Sequence, residues 1–525
     1  MVSSQPAKHD VTDEVKDAGR GVFLIAGAKV YFMLAGAVIV FSLPRIFDEA
    51  TYGAYLLVAG IASIVNNVMV TGTIQAVSRF TAQVRERARI LQHAGFRMHL
   101  RFGLPIAVTF AAVLAPAMGW FLKDTSKVGP IALAGFIVAG YSFYAVLIGT
   151  VNGLRSFHKQ AGLDISFATM RAAGIVGLAA AGLGVYGAIS GWVAAVACIL
   201  LLSVAIIGLP DKKAREAEQP IVPMVAFFVN VAVYLALLNL VMQIDILLLK
   251  RLTAGAYLDR GMSIDQAATA ADAAVGYYGA AQQFARLSYQ AIIAATFVIF
   301  PLISRATFDN ERATTIRYIR TTTRYSLIFA GTFAVVFVAN PHAILDLPFK
   351  VAYADNAARA LVALALGNVA FSLFAIIGAI LNGAGKTREA ILTAGITVLC
   401  AALGNYLVIP RFEPGPDALL ACGAVTAIAM LVGMLVGGAL MRRALGAFVP
   451  VAAVLRTCLA GAAAIALGRA IPFTSPILTV VEAALVAVAF LAVLVVTREL
   501  TMRDLKAIAA LRRGSKNPTP APAPG

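Results

Sequence analysis

Residues 273–303 read AAVGYYGAAQQFARLSYQAIIAATFVIFPLI, a long apolar stretch whose one charge, Arg286, falls near its middle. The stretch exceeds the roughly 20 residues that cross a bilayer as a helix. A guanidinium at mid-bilayer depth costs about 3 kcal/mol on insertion scales. Such a residue persists where it faces water, an anion or a counter-charge. The stretch therefore predicts a transmembrane helix beside a polar cavity, and Arg286 predicts that an anion enters that cavity.

The rest of the chain agrees with a membrane setting. Of its 525 residues 60% are hydrophobic and 13% charged, against about 25% charged in soluble proteins. Apolar segmentation predicts an all-α polytopic protein with fourteen spans, near 21–44, 52–79, 102–122, 128–151, 165–184, 187–209, 223–249, 273–303, 325–346, 357–382, 389–410, 417–440, 450–470 and 474–497. The weakest break is the one at 184–187. The first twenty residues carry Lys8, Asp10, Asp13, Glu14, Lys16, Asp17 and Arg20 and no apolar core, so they read as a cytoplasmic lead-in, with an interfacial helix ending at Gly21.

The net charge of +17 does not mark a nucleic-acid partner, because the basic residues sit in short loops between apolar spans. With the N-terminus inside, about 30 of the Lys and Arg residues fall on the inner side and about 10 on the outer, a bias that places both termini in the cytoplasm. Lys29, Arg79 and Arg286 are singled out as lying within spans. Cys198, Cys400, Cys422 and Cys458 lack metal-ligand spacing and read as small core hydrophobes. Residues 251–273, Ala- and Asp-rich, form the longest outer insertion and predict a short helix. The Pro-rich tail beyond Arg513 reads as disordered.

A repeat organises the spans. Thr51-Tyr-Gly-Ala-Tyr55 opens span two and Val275-Gly-Tyr-Tyr-Gly-Ala-Ala281 opens span eight. Ser78-Arg79 and Ser304-Arg305 end the same two spans, while Val151-Asn152-Gly153 and Leu381-Asn382-Gly383 end spans four and ten. The offsets are nearly constant at about 225, 226 and 230, so spans 1–6 and 7–12 read as two copies of one unit. The predicted organisation is a cytoplasmic segment 1–20, an N-lobe 21–209, a cytoplasmic linker 210–222, a C-lobe 223–441, spans 13–14 over 450–497, and a cytoplasmic tail 498–525. An even number of spans per unit gives both copies one orientation, with a pseudo-two-fold axis along the membrane normal and the substrate path between them.

Polar residues recur in steps of four on the counterpart helices. Span two carries Asn67, Thr71, Gln75 and Arg79, and span eight carries Tyr278, Gln282, Arg286 and Gln290, each set on one helix face. Span seven adds Asn230, Asn239, Gln243 and Asp245, and span one adds Lys29. Amides also bind transmembrane helices together, at about 0.6 kcal/mol each. Lys29 can equally snorkel to the surface, Arg79 lies near the inner interface, and Asp245 can be a structural ion pair with nearby Lys250 and Arg251 or an ion-coupling site. Gly383-Ala-Gly-Lys-Thr387 fails as a phosphate loop, because Ile380 stands where the first Gly is required and no strand precedes it. The five histidines form no nucleophile or carboxylate cluster. The reading is a transporter that uses neither cofactor nor metal.

Arg45 with Phe47-Asp-Glu-Ala-Thr-Tyr-Gly-Ala-Tyr55 resembles the first-to-second helix turn of the polysaccharide transporter family. So do Gln243-Ile-Asp245, Val275–Ala281 and Phe300-Pro301-Leu-Ile-Ser304, and Ile380-Leu-Asn-Gly-Ala-Gly-Lys386 is similar to the loop after its tenth helix. This is the Wzx-like oligosaccharide-lipid flippase family of the MOP/MATE superfamily, related to the stage V sporulation protein B group and MurJ. The resemblance spans residues 20–500 and implies two six-helix lobes working by alternating access in the bacterial inner membrane. It implies an undecaprenyl-diphosphate-linked oligosaccharide as cargo, with membrane lipids, a polysaccharide polymerase and chain-length machinery as partners of a monomer. Substrate contacts would come from Arg286, Lys29, Gln282, Gln290, Asn67, Gln75, Arg79 and Asn230, with Asp245 as a site for proton or sodium coupling. A cation-coupled multidrug exporter and a lipid II-type flippase are the alternatives on the same fold. A membrane-bound polymerase is a third, disfavoured by the lack of a large outer loop.

Overall fold

The computed structural model describes residues 8–217, 221–290, 311–471 and 475–501. The second half of the eighth span, the Ser304-Arg305 match and the Pro-rich tail lie outside these residues. Every regular element among the described residues is helical. The principal ones are α1 (Lys8–Ile46), α2 (Glu49–Gln83), α3 (a helical run over Arg85–Phe121), α4 (Val128–Gly153), α5 (Phe157–Leu178), α6 (Gly184–Ile207), α7 (Ile221–Val241) and α8 (Ile244–Asp259). They continue as α9 (Ile264–Ala285), α10 (Arg312–Ala339), α11 (Val351–Gly383), α12 (Thr387–Val408), α13 (Pro416–Leu445), α14 (Val451–Ala470) and α15 (Pro476–Val496).

Twelve runs among the described residues are long and apolar enough to cross a membrane. Two differences from the predicted fourteen have simple causes. The fifth and sixth spans form one apolar run, Phe157–Ile207. It folds back at Gly182 and Gly184, both with positive φ. Side chains rarely adopt that geometry, and glycine does so freely. Gly174 and Gly191 then let α5 and α6 touch backbone to backbone. The eighth span is only partly described.

Three boundaries move. Helix α1 runs unbroken from Lys8 through Gly21, so no separate interfacial helix ends there. The insertion at 251–273 is mostly helix: α8 extends to Asp259, and α9 starts at Ile264 behind a capping box made by Ser263 and Gln266. The seventh span breaks at Met242–Gln243 into α7 and α8. No Gly or Pro marks that break, so sequence pattern alone predicts a continuous helix.

The repeat is visible in the packing. In the first half α2 packs on α4, α4 on α6, α5 on α6 and α1 on α5. In the second half the counterparts do the same: α9 on α11, α11 on α13, α12 on α13, and both α7 and α8 on α12. The turns after Asn152 and Asn382 share one hydrogen-bond pattern. Arg155 N donates to Asn152 O and Ser156 N to Val151 O, while Gly385 N donates to Asn382 O and Lys386 N to Leu381 O. Arg155 (φ 58°) and Gly385 (φ 74°) hold the same left-handed position. Gly383–Thr387 is therefore a helix-ending turn between α11 and α12.

The halves meet most closely where α2 crosses α9. A Cβ on Gly53 would overlap the Asp272 carbonyl oxygen, and one on Gly276 would overlap that of Glu49. Such small-residue crossings replace the hydrophobic drive that lipid removes. Gly53→Ala must separate the two backbones, and the expected loss is at least about 1–3 kcal/mol, the usual cost of overpacking. Denaturation in mixed micelles measures it; wild-type stability in this variant would show that the crossing is loose.

Candidate functional site

Helices α1, α2, α5, α6, α8 and α9 enclose a cavity of about 640 Å3 between the two halves. Its wall is largely apolar, with Phe32, Phe41, Tyr52, Tyr55, Trp192 and Phe284 as aromatic surfaces. Five amides face it: Asn67, Gln243, Gln282, Gln283 and Gln290. The charged residues among the described lining are Arg171 and Arg286, so the wall is cationic and carries no carboxylate.

Arg286 stands just beyond α9, where its backbone N–H closes the helix on Gln282. Its guanidinium donates to the Met242 carbonyl in the break between α7 and α8. An interrupted helix leaves carbonyls without intrahelical donors, and a membrane interior supplies no water to satisfy them. Arg286 supplies the missing donor, joined at longer range by Gln282 Nε2 at 3.4 Å. Two residues of the predicted stripe on the eighth span, Gln282 and Arg286, thus meet at the break in the seventh.

Asp245, at the first turn of α8, is wholly buried. It accepts from Tyr278 Oη at 2.7 Å, Gln282 Nε2 at 3.0 Å and the Ile246 N–H at 2.8 Å. Its side chain lies behind the cavity wall, held by neutral donors. Of the two alternatives for Asp245, the ion pair with Lys250 or Arg251 is not formed, because these cations bond to Asp124, Asp272 and Phe121.

The other sequence-predicted residues separate. Gln282, Gln290 and Asn67 line the cavity, and Asn67 Nδ2 also donates to Asn239 Oδ1 at 2.8 Å, tying α2 to α7. Lys29 lies outside the cavity lining and is ion-paired with Asp164 at 2.9 Å, joining α1 to α5. Gln75 and Asn230 are exposed and are not among the residues that line the cavity. Arg79 is also exposed and sits over the Phe227 ring at 4.6 Å. A four-residue period fixes a face, and curvature and crossing decide how much of that face reaches the cleft.

Two features escaped the sequence reading. Arg171 lies inside the fifth span with Phe167, Ala168, Gly174 and Ile175 three and four residues away, so no polar stripe marks it. The second is a charge cluster at the end of the cleft where α2 begins. Lys250, fully buried, donates to Asp272 Oδ1 at 2.6 Å, Ala268 O at 2.7 Å and Asp124 Oδ2 at 3.0 Å. Lys127 completes it at 2.9 Å from Asp124 and 2.8 Å from Asp272. Burial alone would raise the Asp124 carboxyl, but Lys250, the Ser126 hydrogen bond and Lys127 hold it well below the usual carboxylate range. Arg251 adds a bond to Phe121 O at 2.5 Å and stacks over the Phe121 ring. These contacts fasten the α3–α4 connection of the first half to α8 and α9 of the second.

Comparison with solved structures gives the fold. The lipid II flippase MurJ in an inward closed conformation aligns with a TM-score of 0.66 at 12% identity, over 93% of this chain and 99% of that one. A MOP superfamily transporter from Pyrococcus furiosus aligns with a TM-score of 0.57 at 15% identity, over 82% and 96%. An inward-facing multidrug resistance MATE family transporter gives 0.58 at 16%, over 80% and 95%. Comparison with curated proteins finds no match. The polysaccharide biosynthesis protein family matches residues 18–307, more than half of the sequence. The chain therefore belongs to the polysaccharide biosynthesis protein family, a multi-pass membrane protein with the fold of the MOP-superfamily transporters.

Proposed function

We propose that the protein is a flippase that carries an undecaprenyl-diphosphate-linked oligosaccharide from the inner to the outer leaflet of the cytoplasmic membrane by alternating access. The observation that carries the proposal is the chemistry of the cavity wall: two arginines, five amides and aromatic faces, with no carboxylate among the described lining. A diphosphate calls for guanidinium donors, sugar hydroxyls pair with amides, and sugar rings lie against aromatic faces. The prenyl tail needs no protein cavity and stays in lipid. With an inside-negative potential, moving a dianion outward is favoured by about 2.3 kcal/mol per charge per 100 mV.

A cation-coupled drug exporter would present carboxylates to its cargo, and the buried, hydrogen-bonded Asp245 does not reach the wall. In proteoliposomes loaded with a radiolabelled lipid-linked oligosaccharide, the expected result is protein-dependent exposure of sugar to an impermeant glycosidase. Transport of cationic dyes without any sugar exposure would refute the flippase reading.

A further inference from the structure

Arg171 and Arg286 share the cavity, but their donors are in different states. Arg286 is engaged with the Met242 carbonyl, and Asp245 attracts it electrostatically. Arg171 has no hydrogen bond or ion pair among the described residues, and its Nε is buried without a partner. Its guanidinium instead lies over the Phe32 ring at 4.6 Å, with Phe167 at 5.9 Å and Trp192 at 6.0 Å. Stacking uses the flat face of a guanidinium and leaves its N–H edge free. A membrane arginine with unused donors is costly unless a ligand or water takes them.

The neighbouring helix leaves room for that ligand. Gly36, one turn beyond Phe32 on α1, also lines the cavity, and a Cβ there would stand 3.8 Å from Arg171 Nη2. A larger side chain at this position would lie across the open edge. Stacked faces, free N–H donors and a glycine gap together form a fork for an oxyanion.

We infer that Arg171, framed by Phe32, Trp192 and Gly36, is the seat for the cargo's oxyanion, while Arg286 braces the broken helix. The inference rests on the flippase reading and assigns the anion to the first half of the chain. A diphosphate on the carrier and a carboxylate on an acidic sugar share this chemistry, and two probes separate them: farnesyl diphosphate and a glucuronic acid oligosaccharide.

The chain has two tryptophans, so Trp120→Phe leaves Trp192 as a fluorescent reporter beside the seat. In purified full-length protein with this background, Arg171→Gln is expected to weaken one of the two probes at least tenfold. Gly36→Leu, which keeps the charge and covers the fork, should weaken the same probe comparably, and both losses should exceed that in Arg286→Gln. Loss confined to farnesyl diphosphate assigns the seat to the carrier, and loss confined to the glucuronate probe assigns it to the sugar; either outcome supports the inference. If Arg171→Gln fails to fold, Gly36→Leu decides alone. Undiminished binding in the Arg171 and Gly36 variants with loss in Arg286→Gln would overturn the assignment and leave the flippase reading intact. A parent protein that binds neither probe at millimolar concentration would overturn both.

Discussion

Lys250→Met is expected to destabilise the protein by about 3–5 kcal/mol, the cost of removing one partner from a buried charge network. Lys250 has no exposed surface and satisfies two carboxylates and a carbonyl at once. Without it, Asp124 and Asp272 face each other with Lys127 as their remaining cation. The exposed pair Arg359–Asp417 offers the internal comparison. Its side chains are 63% and 65% exposed, and Arg359→Ala should cost no more than about 1 kcal/mol. Equilibrium unfolding in mixed micelles measures both. Replacing Lys250 and Asp272 together, by Met and Leu, removes one charge of each sign and should recover at least half of the loss. A double variant no more stable than Lys250→Met would show that charge imbalance is not the cause.

The cluster also bears on how the proposed cycle would run. It contains two ammonium groups and two carboxylates, so it is internally neutral when dry. Opening that end of the cleft would hydrate all four groups, replacing strong contacts with strong solvation. A hydrophobic seal of equal area gains nothing comparable from water. A neutral ionic seal can therefore be firm when closed and still tolerate opening, whereas one with an odd charge would favour one state.

Much of this architecture is legible in the sequence, because the lipid environment leaves few ways to satisfy a backbone. Apolar length locates the spans, and the Asn-Gly matches at 152 and 382 identify turns that share one hydrogen-bond pattern. The hairpin at Gly182–Gly184 is less legible, since its apolar run never turns polar. The break at Met242–Gln243 leaves no local mark, because its stabilising donor, Arg286, lies far along the chain. Within the site, the step of four groups Tyr278, Gln282, Arg286 and Gln290 on one face, and the first three bond to Asp245 or Met242. It does not say whether that face meets substrate or protein. Arg171 and Lys250 escape for a related reason. Lys250 borders polar sequence and looks like a loop residue, and Arg171 has no polar neighbour at helical spacing, until distant helices enclose each.

Arg286→Ala tests which of those two partners the face meets. If the guanidinium braces the helix break, its loss leaves the Met242 carbonyl without its principal donor, at a cost of about 1–3 kcal/mol. It also strips Asp245 of the neighbouring positive charge. The single variant should therefore lose both stability and surface polysaccharide, with export falling at least tenfold at matched protein abundance. Arg286→Lys keeps one donor within reach of Met242 and should restore most of the stability. Arg286→Ala combined with Asp245→Asn removes the stranded carboxylate and should be more stable than Arg286→Ala alone, even if export stays low. A pure docking residue predicts the opposite pattern. Stability would then be unchanged in Arg286→Ala, Asp245→Asn would add its own cost independently, and the defect would appear in export alone. Non-additivity between positions 286 and 245 is thus the decisive quantity, because only residues that share one electrostatic environment in the folded protein couple in this way.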